Sequence, residues 1–72
     1  MQAHAEFTGA GVLLSGIAVE ADVEDLCSLF RDAGVQPDVG TLSYDNQYYV
    51  FLPGLTLEEL KQQTASANLR LV

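Results

Sequence analysis

Residues 12–33, VLLSGIAVEADVEDLCSLFRDA, decide the fold because their periodicity changes midway. Residues 12–19 form an apolar run too short for a helix and rich in strand formers, with turn-prone Gly9 and Gly11 ahead of it. Residues 22–33 then place Val23, Leu26, Cys27 and Phe30 at i, i+3, i+4 and i+7, with Gly34 just past the end. That spacing predicts an amphipathic helix. Asp22 reads as its N-cap, with Glu24 and Asp25 in the first turn, where the helix dipole favours negative charge. The segment is a strand followed by a helix.

Downstream, residues 39–52 read as two strands about Asp45-Asn46, residues that tolerate the positive φ of tight hairpin turns. Pro53-Gly54 ends the hairpin, and Thr56-Leu57-Glu58-Glu59 has the pattern of a capping box. The second helix follows, with Leu57, Leu60 and Thr64 inward and its end near Ser66 or Ala67. Leu69 and Leu71 alternate around Arg70, which predicts a short last strand at an edge.

The order β-α-β-β-α-β is the ferredoxin-like, or split βαβ, arrangement. It predicts a small single α+β domain, with a four-stranded antiparallel sheet and both helices on one face. Upstream, Ala3, Ala5 and Phe7 alternate with polar residues, so an extra N-terminal strand paired across Gly9-Ala10-Gly11 is the variant to test; otherwise residues 1–9 are flexible. A turn at Asp45-Asn46 sets Tyr44 opposite Gln47, Leu42 opposite Tyr49 and Gly40 opposite Phe51. Leu42, Tyr44, Tyr49 and Phe51 then share one face, expected beneath the helices because it is bulkier. Tyr48, Val50 and Leu52 are expected on the open face beside Thr41 and Ser43, either as an ordinary partly apolar surface or as an interface with a second copy or another protein.

Seventy-two residues carry ten acids and three bases, a net charge of −7. With 49% hydrophobic and 18% charged residues the chain is too apolar to be a disordered acidic tail. Domains below roughly 70–80 residues seldom draw more than about 3–5 kcal/mol from their core and often add a disulfide, a metal or a partner. Cys27 is the one cysteine and His4 the one histidine, so neither an intrachain disulfide nor a zinc site of several Cys and His ligands can form. Partner binding or homodimerisation is the remaining supplement. Residues 1–11 lack Lys and Arg, and Ser15 and Gly16 interrupt the apolar run, so neither a signal peptide nor a membrane span is expected and the cytoplasm is the default setting.

No catalytic constellation emerges, and the chain is not expected to be an enzyme or to hold a cofactor. Gly9-x-Gly11 would need a third glycine at position 14, which is Leu14, and Lys61, the one lysine, lies on the second helix. His4-Ala5-Glu6 has the spacing of zinc deaminases without their Pro-Cys-x-x-Cys partner segment. Cys27 belongs to the apolar stripe and reads as a buried structural thiol. Tyr48-Tyr49-Val50-Phe51 resembles the aromatic strand of RNA recognition modules, but Asp45-Asn46-Gln47 replaces the basic and glycine residues that open that motif. Net negative charge also repels phosphate, so direct binding to nucleic acid or an anionic membrane is not expected.

The densest charge is Glu20, Asp22, Glu24 and Asp25. Helix capping accounts for acids at a helix start, but not for the missing basic residues expected at the other helix end and elsewhere. The expectation is therefore a stoichiometric protein-binding module, an inhibitor or adaptor for a basic surface on a larger protein, including nucleic-acid-binding ones. Its candidate contacts are Glu20, Asp22, Glu24, Asp25, Tyr48 and Val50. In type it resembles the compact acidic proteins frequent among products of phages and other mobile elements. The strand order also resembles the ACT type of regulatory domain, which implies a small-molecule site near Gly16 and the turn at Val19 to Asp22. Such domains are usually attached to an enzyme, whereas Met1 with no linker suggests a free-standing product. A small subunit of a larger assembly is the third alternative.

Overall fold

A computed structural model describes residues 2–42, 47–65 and 69–71. The chain is a small α+β domain with seven described elements: β1 (Gln2–Thr8), β2 (Gly11–Ile17), α1 (Glu20–Asp32), β3 (Asp38–Leu42), β4 (Gln47–Pro53), α2 (Leu57–Thr64) and β5 (Arg70–Leu71). The strands form one sheet in the order β3-β4-β2-β1-β5.

The expected four-stranded antiparallel sheet is corrected by β1. Gly9 and Ala10 close a two-residue loop, with Thr8 paired to Gly11, so β1 folds back onto β2 through the shortest available connection. The Thr8 hydroxyl accepts from the Ala10 amide at 3.1 Å and donates to the Gly11 carbonyl at 3.1 Å. Once β1 occupies that side of β2, β5 has no access to it. It pairs with β1 instead, and in parallel, Gln2 with Arg70 and Ala3 with Leu71. The sheet is consequently mixed and five-stranded.

One irregularity explains how the apolar run of β2 serves a single face. Leu14 pairs with Val50 and Ile17 with Tyr48, so Ser15 and Gly16 together stand opposite Tyr49 in a β-bulge. Gly16 takes the left-handed conformation there, at φ +77°. The extra residue resets the alternation, and Val12, Leu14 and Ile17 all turn to the helices and are buried.

The N-cap of helix α1 lies three residues earlier than the sequence predicts. Val19 is its N-cap and makes no side-chain cap bond, so Asp22 lies inside the first turn and is not the cap. Glu20 and Asp22 are the first-turn acids, whereas Glu24 and Asp25 lie beyond it. The far end closes as a Schellman motif, with the Val35 amide donating to the Phe30 carbonyl at 2.9 Å and that of Gly34 to the Arg31 carbonyl at 3.0 Å. Gly34 supplies the positive φ this motif needs, as its place in the sequence predicts.

At α2 one half of the capping box forms, the bond from the Glu59 amide to the N-cap hydroxyl. Thr56 Oγ1 accepts from the Glu59 amide at 3.2 Å and donates to Glu59 Oε1 at 3.0 Å. Leu55 and Leu60 occupy the two hydrophobic-staple positions around this cap, and both are buried. Leu57, expected inward, is 44% exposed, because the inward stripe passes through Leu60 instead. The helix ends at Thr64, earlier than expected, and the Thr64 hydroxyl donates to the Leu60 carbonyl at 2.7 Å.

The core is continuous from sheet to helices: Ala3, Val12, Leu14, Ile17, Val50 and Leu52 from the strands meet Val23, Leu26, Cys27, Phe30 and Leu60 from the helices. The hairpin grouping of residues into faces is as the alternation predicts, but inside and outside are reversed. Val50 and Leu52 lie fully buried under the helices, and Tyr49 and Phe51 lie on the other face. The register also differs: Leu42 pairs with Gln47, Thr41 with Tyr48 and Gly40 with Tyr49. The expected turn at Asp45-Asn46, with Tyr44 and Ser43, falls outside the described residues.

Candidate functional site

A groove runs along one flank of α1, between that helix and the β3–β4 edge of the sheet. Glu20, Glu24 and Arg31 form its rim, and Val23, Cys27, Val39 and Tyr48 line it below. The groove exists because α1 packs on β4 and β2, leaving the helix-side surface of β3 uncovered. Val39, on that uncovered strip, is 43% exposed.

Helix geometry sorts the four candidate acids. At roughly 100° per residue, Glu20 and Glu24 fall on the flank that overhangs the groove, Asp25 points outward and Asp22 lies toward the opposite flank. Glu20 and Glu24 therefore join Tyr48 in one place, while Asp22 and Asp25 stand apart. Val50 leaves the set, because it has no exposed surface. Tyr48 is half-buried, packed against the core on the helix side and not on an open face. Val39 and Arg31 are additions that sequence reading missed. The signal for Arg31 was its place seven residues after Glu24 on one helix face; for Val39, it was parity with Val50.

Glu20 and Glu24 are also an i, i+4 pair of like charge, an arrangement that costs a helix about 0.2–0.5 kcal/mol. Among the described residues no ion pair relieves either of them. The dipole compensates Glu20 in the first turn, but Glu24 lies outside its short reach. Bases do occupy the last turns of both helices, Arg31 on α1 and Lys61 on α2, so the scarcity expected at the helix ends does not hold there.

Cys27 sits beneath this rim. Burial pushes its thiol above the usual range; the nearby Arg31 guanidinium opposes that and Glu24 reinforces it. The thiol is thus kept protonated, the state of a packing side chain and not of a nucleophile.

The opposite, helix-free face carries Leu13 of β2 and Tyr49 and Phe51 of β4, all partly exposed. The Tyr49 ring lies over Gly40 on β3, where it fills the space a Cβ would occupy. Pairing register places His4 and Glu6 of β1 and Asp38 of β3 on this face too. Gly16, named with the Val19–Asp22 turn as a candidate ligand position, forms the β2 bulge. Among the described residues no three His, Cys, Asp or Glu side chains are grouped to hold a metal ion, and no helix is long and apolar enough to cross a membrane. Comparison with protein-family models, with curated proteins and with solved structures finds no match to this chain.

Proposed function

We propose that the chain is an acidic protein-binding module, acting stoichiometrically as an inhibitor or adaptor on a basic surface of a larger protein, including proteins that themselves bind nucleic acid. The observation that carries this reading is the placement of Glu20 and Glu24. Two like charges a turn apart, without an ion-pair partner among the described residues, overhang a groove lined by Val39 and Tyr48. Such a pair weakens the isolated helix, and a cationic partner converts that cost into attraction. An apolar strip bordered by charge is also how protein interfaces are commonly built.

The test uses the full chain as bait in its native host, at low and high salt, with bound proteins identified by mass spectrometry. Wild type should recover a protein with a basic surface at low salt, and Glu20→Gln/Glu24→Gln should recover less of it. Association with the isolated partner should be slower in the variant and less sensitive to salt, since charges at an interface rim act mainly through steering. Equal recovery and equal kinetics for both chains would remove the acidic rim from the functional surface.

A further inference from the structure

The sheet has two edges, and they are unlike. β5 is two residues long and pairs only with Gln2 and Ala3 of β1, whereas β3 runs for five residues in unbroken register with β4. Among the described residues no strand pairs with the outer side of β3. Proteins ordinarily blunt such an edge with lysine, proline, a bulge or a covering element. β3, Asp38-Val39-Gly40-Thr41-Leu42, has none of these, and its single charge stands at its first residue. The groove beside α1 opens along the same strand, with half-exposed Val39 in it.

We propose that the β3 edge accepts an extended segment of a partner protein by strand addition, and that this segment carries Lys or Arg where it faces α1. This rests on the acidic-surface reading above and names the chemistry of its partner. An added strand would lie about 4.8 Å from β3 and direct alternate side chains to the α1 side of the sheet. A long basic side chain there can lay its methylene stem along Val39 and Tyr48 and bring its charge to Glu20 and Glu24. A second copy of the chain is a poorer occupant. Its own β3 contains no base, and each copy brings a net charge of −7.

The test titrates the isotope-labelled full chain with a blocked eight-residue peptide of alternating Lys and Val. Controls are an alternating Glu and Val peptide and a Lys and Val peptide interrupted by proline. The expected result is binding that weakens with salt, with exchange of β3 amides slowed at least about tenfold and both controls at least about tenfold weaker. Val39→Lys should weaken binding similarly and leave the melting temperature nearly unchanged, because Val39 is exposed. Equal binding of the proline-interrupted peptide, or unchanged β3 amides, overturns strand addition while the acidic-surface reading stands. Equal binding of the Glu peptide overturns the basic partner. A concentration-dependent dimer that Val39→Lys abolishes hands the edge to a second copy. Failure of the Lys and Val peptide to bind overturns the proposal, and the host pull-down then judges the acidic rim separately.

Discussion

Gly16 shows how much of the fold rests on single residues. Its left-handed φ lets the β2 bulge return Ile17 to the core, so a side chain there meets strain even though the nearest outside atom to a Cβ is Gln47 Oε1 at 3.8 Å. Gly16→Ala should cost about 1–2 kcal/mol, the penalty of an L-residue in that conformation, measured by urea unfolding. Gly11→Ala should be worse, because its Cβ would collide with the backbone of Leu52, Pro53 and Gly54. Cys27 supplies a second check. Its raised thiol pKa means that the folded chain holds the proton longer than the unfolded one, so this contribution to stability is intact below the unfolded value and is lost as pH rises past about 9. Alkylation by iodoacetamide at pH 8 should be much slower than for free glutathione and should accelerate in urea. Rapid alkylation of the native chain would contradict the burial. The buried position of Cys27 was legible from its helical stripe. The exposure of Tyr49 was not, since the bulk of an aromatic ring suits a core and an open sheet face alike.

The two helices differ in how they begin, and stability should reflect it. Thr56→Ala removes a hydroxyl that both accepts from the Glu59 amide and donates to its carboxylate, so it should cost about 0.5–2 kcal/mol. Asp22→Ala loses only a first-turn charge in α1 and should cost less than about 1 kcal/mol. Thermal melts of the two variants make the comparison, and a larger loss for Asp22→Ala would restore it as a cap. The capping box was legible because its chemistry is local. The start of α1 was not, because Val19 offers no capping group and the helix begins on the strength of its buried face. Hairpin faces were similarly half-legible. Alternation grouped Val50 with Leu52 and Tyr49 with Phe51, but only the neighbouring strands decide which group is inside. Ala3 and Ala5 of β1 and Val12 and Leu14 of β2 share the face of Val50, whereas His4, Glu6 and Ser15 share that of Tyr49. Polar neighbours outweigh ring size.

For the whole molecule, a net charge of −7 on 72 residues implies self-repulsion that salt should relieve. The melting temperature should therefore rise with sodium chloride between about 10 mM and 500 mM, and most of that rise should appear before the Debye length falls to a few ångströms. Neutralising Glu20 and Glu24 should raise the low-salt melting temperature and flatten this dependence. An unchanged profile would show that the two carboxylates do not feel one another. Both helices and the strands β2 to β5 were readable from periodicity, and β1 only as a variant. The sheet's connectivity was not, because periodicity leaves both β2 and β1 open as the neighbour of β5, and it is the two-residue loop setting β1 beside β2 that leaves β1 as the available partner.

The pairing of Gln2 with Arg70 and of Ala3 with Leu71 also fixes a temporal order. β1 and β2 are the first of the described strands to be made and can pair before the others, whereas the strand that flanks β1 on its other side is the last of them. Until then β1 is itself a bare edge, carrying an alanine-lined surface that nothing has yet closed. A chain made only as far as α2 would have the seven-residue β1 as its edge on that side, and β5, once made, covers Gln2 and Ala3 of it.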